Sequence, residues 1–181
     1  KPDYSEMLSS YLFENGKRVA YETGTSLYNR LGLTTQIPFR IKVASRKKRI
    51  NINRENLKVD AIKSYAEVTD RNYELLGLLD AFKDIKTIPD CSIAQAIKRL
   101  SSIVKELDSK QTEIFIKYTL MYPPRVRALA GAILENTGKY AKKIEQLKDS
   151  LNPLTTIKLG VKKSELPNKS NWYIKWSYTK T

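Results

Sequence analysis

The chain has 181 residues, 33 Lys and Arg against 19 Asp and Glu, and no histidine, giving a formal charge of +14. Without histidine there is no histidine general base, Ser-His-Asp triad, Cys-His dyad or His-containing zinc site, and the single cysteine, Cys91, rules out an intrachain disulfide. At 41% hydrophobic and 29% charged residues the composition is that of an ordinary globular protein, long enough for one large domain or two small ones, and no window approaches the roughly 18 apolar residues that would span a membrane.

Asp3-x-x-Glu6 reads as a capping box for a first helix carrying Met7, Leu8, Tyr11 and Leu12, with Asn15-Gly16 as its stop. Arg18-Val19-Ala20-Tyr21 then reads as a short strand. Thr23 or Thr25 is placed to cap a helix from Ser26 to Leu31, and Gly32 stands where a left-handed C-terminal glycine belongs. Pro38 bars that helix from resuming. Phe39, Ile41 and Val43 alternate with Arg40, Lys42 and Ala44, and Ile50 and Ile52 resume the alternation. This spacing predicts a hairpin whose tip is Ser45-Arg46-Lys47-Lys48-Arg49. Leu57, Val59 and Ala61 add a third strand.

From Thr69 the period becomes helical. Thr69 or Asp70 is placed to cap a helix bearing Tyr73, Leu75, Leu76, Leu78, Leu79 and Phe82, and Ser92-x-x-Gln95 is a capping box before an apolar stripe from Ile93 to Leu107. A third helix holds Ile114, Phe115 and Tyr118, and Pro123-Pro124 suit the first turn of a fourth, closed by Gly138. Lys139 to Ser150 is either further helix or a solvated linker. Beyond Pro153, residues 156–161 and 172–176 alternate like strands that return to the N-terminal sheet, with Trp172 and Trp176 expected in the core. The expectation is one α+β domain: a mostly antiparallel sheet with a layer of four or more helices. Residues 1–68 form its α+β part, 69–150 its helical part and 151–181 the returning strand pair.

A positive excess of this size attracts polyanions, nucleic acid first. Its densest cluster is Arg46, Lys47, Lys48 and Arg49, a set that either contacts phosphates with salt-sensitive affinity or is a solvated loop. Arg125 and Arg127 follow the prolines at a helix N-terminus, where they either clamp a phosphate or make structural ion pairs. Asp80 and Asp84, one turn apart, read as solvated carboxylates. No paired acidic motif or metal-ligand spacing appears, so no catalytic residue, metal or cofactor is assigned.

Two segments also carry a family likeness. Leu31-Gly32-Leu33-Thr34-Thr35-Gln36-Ile37-Pro38, and about a hundred residues later Tyr122-Pro123-Pro124-Arg125-Val126-Arg127-Ala128-Leu129-Ala130-Gly131-Ala132-Ile133-Leu134-Glu135, resemble the AbiE-type abortive-infection antitoxins. That resemblance implies the antitoxin and transcriptional autoregulator of a bacterial type IV toxin–antitoxin system, non-enzymatic and cytoplasmic. Its partners would be operator DNA, bound by the full-length protein, and a nucleotidyltransferase-like toxin. In that family a winged helix-turn-helix precedes the antitoxicity region. Nothing before Lys17 holds such a module and the chain opens on Lys1, so an upstream segment is expected. The alternative from a different class is a stand-alone nucleic-acid-binding or phosphate-handling enzyme using Arg125, Arg127 and carboxylates with a metal.

Overall fold

In the computed structural model, which describes residues 4–139 and 141–177, helix α1 (Tyr4–Leu12) sets Leu8, Met7, Tyr11 and Leu12 against Ala20, Ile41, Val43, Ile52, Leu57 and Val59. Asp3 of the expected capping box lies outside the described residues. The helix stops at Leu12, and Asn15-Gly16 does a different job from the one expected. Strands β1 (Phe13–Glu14) and β2 (Lys17–Arg18) pair antiparallel around it, with φ of 50° at Asn15 and 71° at Gly16. Positive φ at both central residues is the requirement of a type I′ hairpin turn, which Asn-Gly meets at least cost.

Strand β3 (Ala20–Thr23) leads into helix α2 (Thr25–Arg30). Neither threonine caps that helix: Gly24 occupies the N-cap with no side-chain bond, and the Thr23 hydroxyl donates instead to Asp80 Oδ2 at 2.7 Å. The C-terminus follows expectation. Gly32, at φ 73°, lets its N–H reach Asn29 O at 3.0 Å and the Leu33 N–H reach Tyr28 O at 2.9 Å, closing the helix in a Schellman motif.

Strands β4 (Ile41–Ser45), β5 (Ile52–Arg54) and β6 (Leu57–Lys63) complete a four-stranded sheet in the order β3-β4-β6-β5. The expected hairpin between β4 and β5 is not formed. β4 runs parallel to β6, and β5 lies antiparallel on its other side. The true hairpin comes one step later, over Glu55-Asn56. Alternation in β4 and β5 fixed that each joins a sheet but not which strand is its neighbour, and the seven-residue β6 hydrogen-bonds along both its edges. Residues 46–51 therefore form a crossover.

Helix α3 (Tyr73–Lys83) opens directly after Asn72, which takes the place expected for Thr69 or Asp70. Asn72 Oδ1 accepts the Thr69 N–H at 2.8 Å and its O accepts the Leu76 N–H at 2.9 Å. Asp80, expected in solvent, is 3% exposed and accepts hydroxyls from Tyr21 and Thr23, each at 2.7 Å. Tyr21 and Thr23 stand two apart on β3, so one carboxylate pins one face of that strand to α3.

The chain divides into two compact units. One runs through Ala81 and takes in Ile88–Asp90; the other comprises Phe82–Thr87 and the residues from Cys91 onward. In the second, α4 (Ile93–Glu106) begins with the expected Ser92–Gln95 capping box, and α5 (Ser109–Thr119) begins with another, between Asp108 and Gln111. Helix α6 (Pro124–Asn136) follows Pro123 as its N-cap, and residues after Lys139 form helix α7 (Ala141–Asp149), whose Ile144 and Leu147 are buried. The Lys139 ammonium donates to the carbonyls of Val104, Lys105 and Leu107, supplying donors that the end of α4 lacks.

The C-terminal strands do not join the four-stranded sheet. β7 (Ile157–Lys158) and β8 (Ile174–Lys175) pair only with one another, in parallel. What holds this segment is Trp172, fully buried in a short 3₁₀ turn (Lys169–Trp172), whose ring covers Gly131 of α6. A Cβ at Gly131 would lie 2.1 Å from that ring. Glu135, one turn on, accepts the Trp172 indole N–H at 2.9 Å. Trp176, expected in the core, is 41% exposed. The whole is an α+β structure with mostly antiparallel strand pairing and a helical layer, as the periodicities predict.

Candidate nucleic-acid interface

The crossover after β4 carries Arg46, Lys47, Lys48 and Arg49, all exposed. Its shape is set by Ser45, whose buried hydroxyl donates to Val19 O at 2.6 Å and accepts the Lys48 N–H at 3.1 Å. At the far end Asn51 Oδ1 accepts the Ala61 N–H at 2.9 Å, tying the crossover to β6 where β5 no longer pairs with it. The loop is thus bonded down at both ends.

Its side chains have different fates. Arg46 Nη1 donates to Ser64 O at 3.1 Å. Lys47 pairs with Glu67 at 2.6 Å and Lys48 with Glu14 at 3.0 Å, each across solvent. The hydrogen bond between Lys47 and Glu67 raises the ammonium and lowers the carboxyl from their ordinary values. Arg49 makes no hydrogen bond or ion pair among the described residues. With Lys63 of β6, these four side chains line a cleft of about 380 Å³ that has no Asp or Glu in its lining. It opens where the parallel strands β4 and β6 both end, a position that brings five cations within reach of one polyanion.

Arg125 and Arg127 are used differently. Arg125 Nη2 donates to Lys83 O at 2.7 Å, and its buried Nε has no hydrogen-bond partner among the described residues. Arg127 donates through Nε to Tyr122 O at 3.0 Å and through Nη1 to Ser150 O at 2.6 Å. Residues two apart on a helix do not share a face, so the pair cannot close on one phosphate as a clamp. Both are structural anchors, through backbone carbonyls rather than the expected carboxylates. Nearby, the Lys86 ammonium is held below its ordinary value, first by loss of solvent and then by the Arg125 charge.

Cys91, half-buried before α4, has its thiol pushed up by burial, which disfavours the reactive thiolate. Among the described residues no group of three or more Cys, Asp and Glu is placed to hold a metal ion, and no helix is long and apolar enough to cross a membrane. The chain matches no family model, no curated protein and no solved structure.

Proposed function

We propose that the chain is the antitoxicity region of an AbiE-type antitoxin, a non-enzymatic, cytoplasmic protein that neutralises a nucleotidyltransferase-like toxin and supports operator binding by the full-length regulator. The observation that carries the reading is the basic crossover: five cations around one cleft, no carboxylate in its lining, on a loop bonded at both ends. The family likeness rests on the wording of the two signature segments, each of which has a local structural job. Gly32 closes α2, and Gly131 with Glu135 seats Trp172.

Contact with phosphates alone positions a protein on a duplex and carries little sequence information. Operator and random duplexes should therefore bind this chain within about tenfold of each other, a difference of about 1.4 kcal/mol. An upstream winged helix should restore a ratio of about a thousand or more. Competition binding at fixed salt, with and without that module, measures both. Co-expression with a nucleotidyltransferase-like toxin of an AbiE-type system tests the antitoxin role: restored growth supports it, and growth arrest beside folded, abundant chain overturns it.

A further inference from the structure

A second exposed feature is apolar and stands apart from the antitoxin reading. After α2 the backbone is held by polar contacts as far as Gln36. Asn29 Nδ2 donates to Thr34 O at 3.1 Å, the Gln36 N–H donates to Thr34 Oγ1 at 3.1 Å, and the Gln36 amide reaches Asp90. Immediately beyond, Ile37 is 85% and Phe39 78% exposed, far more than any other large apolar side chain described in this unit, of which Tyr4 and Phe13 come next at 38% and 36%. A segment anchored this firmly and then turned apolar side out has the character of a contact surface.

Ile37, Pro38 and Phe39 rim a cleft of about 380 Å³ floored by Ile41 and Leu57. Its charged lining residues are Lys58 and Arg30, the latter already paired with Glu22 at 3.0 Å behind the lining, so Lys58 is the cation that stands open at the cleft. Lys58 Nζ sits 4.4 Å from the centre of the Phe39 ring, so positive charge and apolar rim meet at the mouth. Ser26, on the wall, keeps a buried hydroxyl with no hydrogen-bond partner among the described residues, which native structures rarely leave unused. The volume falls at the small end of ligand sites, enough for one large side chain.

We infer that this cleft docks an acidic segment of another protein, seating one aromatic side chain on Ile41 and Leu57 and setting a carboxylate against Lys58. Charge decides the occupant. A lining of one sign selects the opposite sign, and a second copy of a chain with net charge +14 would approach against its own repulsion.

The test uses the isotope-labelled chain and a Glu-rich peptide of about a dozen residues with one central Trp. Control peptides replace the Trp by Ala, or every Glu by Lys. The expected result is saturable amide shifts at Ile37, Phe39, Asn29 and Lys58, with each control peptide at least about tenfold weaker. Lys58→Glu, and separately Ile37→Ser with Phe39→Ser, should each weaken binding by a similar factor while the rest of the amide spectrum stays in place. If the double variant loses its fold, Lys58→Glu alone decides. The inference is overturned by equal binding of the Lys peptide, by shifts gathered at Arg46–Arg49 instead, or by binding that ignores the variants. Shifts at Ile37 and Phe39 that follow protein concentration without peptide would assign the cleft to a second copy, and that too overturns it.

Discussion

Two groups of arginine and lysine that look equally suited to phosphate in the sequence have opposite uses in the structure. Arg46, Lys47, Lys48 and Arg49 lie on a crossover; Arg46 gives one N–H to Ser64 O, while the charges of the other three face solvent or pair loosely across it. Arg125 and Arg127 lie on the first turn of α6 and spend their guanidinium N–H groups on the carbonyls of Lys83, Tyr122 and Ser150. A cation that satisfies buried carbonyls supports the fold. A cation whose partner is an exposed carboxylate can exchange that partner for a phosphate at little cost.

The sharpest way to break this comparison is Arg127→Met. It removes the two charge-assisted hydrogen bonds to the carbonyls of Tyr122 and Ser150, so stability should fall by about 2–4 kcal/mol in denaturant titration. The salt slope of DNA binding should not change. Arg125→Met should cost less, about 1–2 kcal/mol, because one hydrogen bond to Lys83 O is lost while a buried N–H that has no partner among the described residues disappears with the side chain. A slope that moved with either variant would place these arginines on the DNA after all.

Neutralising Lys47, Lys48 and Arg49 together to Gln should do the reverse. Stability should stay within about 0.5 kcal/mol, and the slope of log affinity against log salt should flatten by about one unit for each phosphate no longer neutralised. The smallest expected effect concerns Glu67. Its carboxyl lies below the ordinary value because Lys47 hydrogen-bonds it, so Lys47→Ala should move its titration upward in carbonyl NMR. A carboxyl lowered in the folded state adds stability above its unfolded value and loses it as pH falls through the folded one. Both groups are fully exposed, so the change in acid stability should be slight.

What the sequence made legible was local. Ser92 and Gln95 announce α4 because a capping box closes within four residues, and Gly32 marks the end of α2 because few other residues accept its φ. Asp108 and Gln111 form the same box and carried the same signal, unread. Asn15-Gly16 was ambiguous in kind: it serves equally as a helix stop or a type I′ turn, and only the short strands on either side decide. The partners of β4 and β5, the burial of Asp80 and the anchoring of Arg125 and Arg127 depend on residues far along the chain. Nothing in Arg46–Arg49 says that β6, not yet reached, will lie between the strands they connect. The charge of that loop was visible from composition, but its fastening by Ser45 and Asn51 was not. The Ile37–Phe39 rim went unnoticed because alternation assigned Phe39 to a strand that begins only at Ile41.

The socket on α6 has a consequence for how this protein can vary through descent. Trp172 occupies the space of an atom that Gly131 does not have, so the two positions behave as one heritable character split across about forty residues of chain. A lineage that first takes Gly131→Ala meets a collision, and one that first takes Trp172→Leu meets a void and takes from Glu135 one of its two donors, leaving Asn168; either step alone should cost about 1–4 kcal/mol. Taken together the changes relieve one another. Related chains that differ at one of these sites should therefore differ at the other, and a chain carrying only one of the changes should be rare.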